Sequence, residues 1–189
     1  MINNFIKYAF IVMLSTITIF SCTKEIDFNQ INDVSLKPVV ALNLIFFNAL
    51  ASDFFIDRIE QSTIKDTVVI DLFNRGFIID NLVKAELVFE TTNSIDKSFN
   101  IKVDFLDTSN RLKHTFTLTA PASPLNTDII TSHIEVFENT SLDALKVSNK
   151  IELTLQALSG GMPLNNDTPG VITLKSKGVF FLNIERDTK

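Results

Sequence analysis

An all-β fold, an antiparallel β-sandwich of immunoglobulin-like type with one short helix, is predicted by three features of the chain. From Val34 onward, apolar residues recur at every second position in short runs, the signature of strands with one face in a core. Polar, turn-forming segments separate those runs. No internal repeat, low-complexity tract or long linker divides residues 36–189, so they read as a single sandwich domain.

The elements follow in order. Val39 to Leu50 (VVALNLIFFNAL) is broken only by Asn43 and Asn48, which predicts a central strand buried on both faces. Phe54-Phe55-Ile56 comes soon after it. Val68, Ile70 and Leu72 form a further strand. Val83, Ala85, Leu87 and Phe89 share one face, with Lys84 and Glu86 opposite. Phe99, Ile101, Val103 and Phe105 point inward and Lys102 and Asp104 outward. A polar turn, Asp107-Thr108-Ser109-Asn110, joins that run to Leu112, Phe116 and Leu118 in a hairpin. Thr140 and Asp143 stand three apart ahead of Leu142, Leu145 and Lys146, a capped helix that Asn149 can end. Ile151, Leu153 and Leu155 make the next strand. Gly160-Gly161 marks a turn. Ile172 to Ile184 gives one long strand or two joined at Gly178.

Composition limits the function classes. The chain has 189 residues and a formal charge of −5, with 17 phenylalanines and no tryptophan. A mildly acidic domain argues against a nucleic-acid partner, and the lack of tryptophan weakens a sugar-stacking reading. The apolar segments and abundant phenylalanine are consistent with a core. They also suit an apolar ligand cavity or an aromatic contact patch.

The N-terminus carries the most specific signal. Met1 to Lys7 holds one side-chain charge, Lys7, and Tyr8 to Phe20 is apolar apart from Ser15, Thr16 and Thr18. That length suits a signal-peptide core and falls short of the roughly 20 residues a spanning helix needs. The stretch ends Ile19-Phe20-Ser21-Cys22, which resembles the lipobox of bacterial lipoproteins. Phe20 is bulkier than the residue usual there. The resemblance implies cleavage of residues 1–21 and diacylglycerol and acyl groups on Cys22, with membrane lipid as the partner and residues 22–35 as a tether. Cys22 is the only cysteine, so no disulfide can form within the chain. Thr23-Lys24-Glu25-Ile26-Asp27 resembles in part the export signal of surface-exposed Bacteroidota lipoproteins, with Ile26 interrupting the acidic pair. Asp66-Thr67-Val68 resembles the acceptor of Bacteroidota protein O-glycosylation, which makes Thr67 a candidate for modification. Together these features are similar to outer-membrane lipoproteins of the Flavobacteria. That resemblance implies an outer-membrane location, with surface exposure as one form of it. It is specific only over residues 1 to about 27.

Catalytic motifs are missing from the sequence. There is no glycine-rich phosphate loop, no G-x-S-x-G and no H-E-x-x-H, and one cysteine with two histidines cannot build a closed zinc site. His114 falls on the apolar face of its strand and reads as a hydrogen-bonded core residue. His133 lies where both faces are partly apolar, so its side stays open. Asp104, Asp107 and Asn110 around one turn are weighed as a calcium site and read instead as ordinary turn chemistry. The expectation is a non-catalytic protein without cofactor or metal, binding an envelope protein partner as a subunit or accessory of an outer-membrane complex. The alternatives are a carrier or sensor of an apolar ligand in a Phe-rich interior, and a glycan binder or enzyme whose site the sequence does not show.

Overall fold

The computed structural model of the chain describes residues 36–57, 59–70, 76–161 and 163–184. Cys22, its leader and the expected tether lie outside them, as does Leu72.

Among the described residues ten strands are formed: β1 Val39–Leu50, β2 Phe55–Ile56, β3 Ile59–Glu60, β4 Thr63–Val69, β5 Leu82–Asn93, β6 Phe99–Leu106, β7 Leu112–Ala120, β8 Ile129–Phe137, β9 Lys150–Ala157 and β10 Val171–Leu182. A 3-10 turn, Ala51–Phe54, follows β1, and the described residues hold two helices, α1 Gly76–Asn81 and α2 Asn139–Lys146. One sheet has the order β1-β10-β5-β8 and the other β4-β9-β6-β7, with every pairing antiparallel. β2 and β3 form a small ribbon. The antiparallel β-sandwich is therefore as expected. Its connectivity is not immunoglobulin-like: of the links between the eight long strands, only β6–β7 is a hairpin within one sheet. The others cross between sheets, and the first and last strands pair, which is the double Greek key of a jelly roll.

The core forms where the inward rows of the two sheets meet. Phe99, Ile101, Val103 and Phe105 of β6 are buried, as are Ile151, Leu153 and Leu155 of β9 and Ala85, Leu87 and Phe89 of β5. Phenylalanine rings lock together across it. Phe54 lies 5.2 Å from Phe99, Phe105 meets Phe137 edge-on at 5.2 Å, and Phe89 meets Phe116 at 5.1 Å. β10 is one strand running through Gly178. A Cβ there would fall 2.5 Å from the Phe180 ring, so only glycine lets that ring fold back over the strand.

Four details depart from the sequence reading. β1 is an edge strand, and Phe46 on its outer row is 65% exposed. An uncharged run looks alike whether its second face is covered or bare. Val83 is exposed and Leu82 buried, because a bulge opposite Phe181 and Leu182 shifts the register at the start of β5. Asp104 points outward yet is buried, held by the Lys102 ammonium at 2.7 Å and the Thr115 hydroxyl at 2.6 Å. The α2 helix is present, but its cap is not Thr140–Asp143. Ser141 Oγ accepts the Glu138 N–H at 3.0 Å, and α1 is a second helix.

Phe105→Ala is expected to cost about 3–5 kcal/mol in urea denaturation, as large-to-small core changes do. Phe46→Ala is expected to stay within about 0.5 kcal/mol, the usual range for surface positions. Equal costs would contradict the assignment of β1 to the edge.

Candidate functional site

β7 and β8 end their respective sheets on the same side of the sandwich, and the inner row of β8 there is polar. His133 pairs with Phe89 and Glu135 with Leu87, so both share the face of buried β5 residues. His114 pairs with the buried Phe105. The result is a cluster spanning the two sheets. His114 Nε2 lies 2.6 Å from one Glu135 oxygen and His133 Nε2 lies 2.9 Å from the other. An ionised carboxylate only accepts, so with Glu135 charged both imidazoles carry their proton on Nε2. Aromatic walls hold the rings: His114 meets Phe137 edge-on at 4.8 Å, and His133 stacks on Phe116 at 5.0 Å.

His114 is thus half-buried and bonded to a carboxylate, and His133, left open by the sequence, turns inward. Neither is hydrogen-bonded to a serine or threonine among the described residues, and the ring nitrogens in bonds end on one acceptor. This is a polar seam that closes the side of a sandwich. No group of three or more His, Cys, Asp or Glu among the described residues is arranged to hold a metal ion. Proximity of His133 and Glu135 was readable from their i, i+2 spacing on one strand, but not the arrival of His114 from the other sheet.

The Asp104–Asp107–Asn110 turn is filled by protein donors. Asp107 accepts from the Ser109 and Arg111 N–H groups at 2.9 Å each, from the Arg111 guanidinium at 2.8 Å and from Lys113 at 3.1 Å. The Arg111 backbone N–H foremost, then the two cations and the Ser109 N–H, hold its carboxyl far below the ordinary value of 3.8. Thr67 is exposed on edge strand β4, paired with Glu152 of β9, and its N–H donates to the Asp66 carboxylate at 2.8 Å.

The outer face of the β1-β10-β5-β8 sheet differs from a usual solvated face. On β8 the apolar residues Ile130, Ile134 and Val136 point outward and are exposed, while Thr131, His133 and Glu135 point inward. Ile134 stands beside Val88, and Val136 is one row along. One groove, of about 210 Å³, opens on this face at Val88, Glu90, Lys175 and Lys177, and another, of about 440 Å³, lies at the end of the sandwich, at Pro38, Val39, Val83 and Phe181. A third, of about 250 Å³, lies at Asp96, Leu164 and Asp167. No buried phenylalanine lines any of them, so these grooves do not open the Phe-rich interior to a ligand.

No family model and no curated protein matches the chain. Among solved structures it is similar to the VP2 subviral particle of infectious bursal disease virus, with 12% identity and a TM-score of 0.44, over 76% of this chain and 32% of that one. A protein of Parabacteroides distasonis described as secreted gives 17% identity and a TM-score of 0.40, over 61% and 36%. The chain spans about a third of the length of these proteins. At these scores the fold rests on the strand order itself.

Two outcomes test the site. His114→Ala and Glu135→Ala are each expected to cost about 1–3 kcal/mol, and the double variant less than their sum, because they share one bond. Strict additivity in a denaturation cycle would mean that the bond is not made. Asp107, with its folded carboxyl depressed, contributes stability that is fully present above its ordinary value and is lost as pH falls toward the folded one. Asp107→Asn is therefore expected to be less stable than the parent at pH 7, with the gap narrowing in urea titrations below about pH 3.8.

Proposed function

We propose that this chain is a non-catalytic, lipid-anchored protein of the bacterial envelope, a subunit or accessory of an outer-membrane protein complex. Cys22 is its acylation site, residues 1–21 are its signal, and Thr67 is a position for O-glycosylation. The anchor is supported by the apolar stretch ending at the chain's only cysteine. Among the described residues no helix is long and apolar enough to cross a membrane.

The observation that carries the binding role is the inverted strand β8. Leaving Ile130, Ile134 and Val136 in water while turning His133 and Glu135 inward forgoes apolar burial, at roughly 25 cal/mol per Å². A partner covering that face recovers it. The lysines and glutamates beside it, Lys84 with Glu86 at 2.7 Å and the cross-strand pair Lys175 and Glu90, give the patch the mixed polar rim of a protein interface. Its flatness suits a protein surface better than a small ligand.

In membranes, radiolabelled palmitate is expected to enter the parent and not Cys22→Ala, and Thr67→Ala is expected to lose any glycan mass. Affinity purification of the native protein from detergent is expected to retain a partner that Ile134→Asp loses. Thr117→Asp, on the outer row of the other sheet, is expected to keep it. Equal retention by both variants would refute the β8 face as the interface.

A further inference from the structure

The two ends of the sandwich differ in chemistry. The end at which the described chain begins is built from 36–39, α1, the first residues of β5 and the last of β10. It is tied by the Leu36–Ile184 bridge, by Leu182 N–H to Pro38 O at 3.0 Å and by Asn183 N–H to Asn81 O at 2.8 Å. Here Leu36, Val39, Phe77 and Val83 are all more than half exposed. α1 carries Phe77, Ile78 and Ile79 in sequence; Ile78 packs partly buried against the core, and Phe77 stays exposed. Helices normally bury such residues. The groove of about 440 Å³ runs between Val39, Val83 and Phe181, with Lys37 and Lys84 on its walls. At the opposite end, the described loops carry Asp53, Asp57, Glu60, Asp96, Asp128 and Asp167 against Lys97. The Leu36 end carries Asp80, Asp107, Glu138 and Asp143 against Lys37, Lys84, Arg111, Lys146 and Lys150, so its charges balance where those of the opposite end do not. Exposed apolar residues are found at the opposite end too, at Leu50, Ile56, Ile59 and Leu125.

We infer that the Leu36–Phe77–Val83 end rests on a lipid surface and that the acidic end points away from it. The inference builds on the acyl anchor proposed above. Thirteen residues, 23–35, separate Cys22 from Leu36. They reach at most about 45 Å fully extended. The twelve-residue strands of the sandwich are about 40 Å long, and the acyl group tethers the sandwich by its Leu36 end. Apolar side chains that lie at the headgroup boundary leave water, and lysine stems lie along apolar surface while their ammonium groups meet phosphate. The negative surface potential of a bilayer opposes approach of the acidic loops. A lipid surface therefore matches this end in position and charge.

The test uses the full acylated chain in vesicles of phosphatidylethanolamine and phosphatidylglycerol doped with nitroxide lipid. Cys22 is blocked by its thioether, so Val83→Cys and Leu125→Cys each take one fluorophore. Leu125 is exposed on the 121–128 loop at the acidic end. The Val83 label is expected to be quenched several-fold and the Leu125 label hardly at all. Equal quenching, or stronger quenching at Leu125, overturns the orientation. Palmitate incorporation is scored on the same preparation. If palmitate enters and the Val83 label is unquenched, the orientation falls and the anchor stands. If palmitate does not enter, the labels are read in a Cys22→Ser background on added vesicles. Quenching at Val83 then upholds the lipid-facing end without the anchor, and no quenching overturns both.

Discussion

Ring-on-ring contact between the two sheets is the interaction on which the rest of this structure depends. With its single cysteine ahead of the sandwich, the domain has no covalent brace, and apolar burial carries its stability. The rings form a chain along the interior: Phe54 on Phe99 at one end, Phe89 on Phe116, and Phe105 on Phe137 further along. Burial of each large side chain contributes about 1.5–3 kcal/mol, and edge-on contact adds about 0.5–1.5 kcal/mol. Because Phe89–Phe116 and Phe105–Phe137 join strands of different sheets, they fix how the sheets face each other as well as how firmly they hold.

That aromatic interior has a boundary, and the boundary determines where polar chemistry is tolerated. Where β7 and β8 end their sheets, the inner face meets solvent. His114, His133 and Glu135 occupy this margin, each satisfied by another and each backed by a ring. A buried polar group without a partner is costly, but a mutually satisfied trio at an edge is not. Both histidines share the Glu135 carboxylate. Their hydrogen bonds are used in holding two strands across a gap.

Much of the fold was legible in the sequence, because β6, β7, β9 and the core half of β5 each have a single buried face, and alternation reports such a face directly. β1 and β8 were harder for one shared reason. Alternation shows which residues are apolar but not which side of the strand the core occupies, and in a strand apolar on both faces it cannot show whether the second face is covered. β1 thus read as central when it is an edge, and β8 gave no side for His133. The strand order was also out of reach, since sandwiches of different connectivity share the same local pattern. The seam at Glu135 depends on strands brought together from separate sheets, and no spacing along the chain encodes that.

Uncovered apolar surface lies on the sheet face and at the Leu36 end, as well as at Leu50, Ile59 and Leu125 on the opposite loops. Solvent is a poor neighbour for Ile130, Ile134 and Val136 on the sheet face, and equally for Leu36, Phe77 and Val83 at the sandwich end. The two regions differ in shape and company. The sheet face is flat, with lysines and glutamates in register across it, as a protein partner with its own charges would match. The end lies beside the start of the described chain and leaves Phe77 of α1 exposed. A single occupant is poorly suited to both. A bilayer conforms to an apolar end but offers no paired charges to a flat face. A folded partner offers those charges and leaves the end free. The division of exposed surface therefore argues for two neighbours, lipid at the end and protein on the face, with the acidic loops turned toward the solvent.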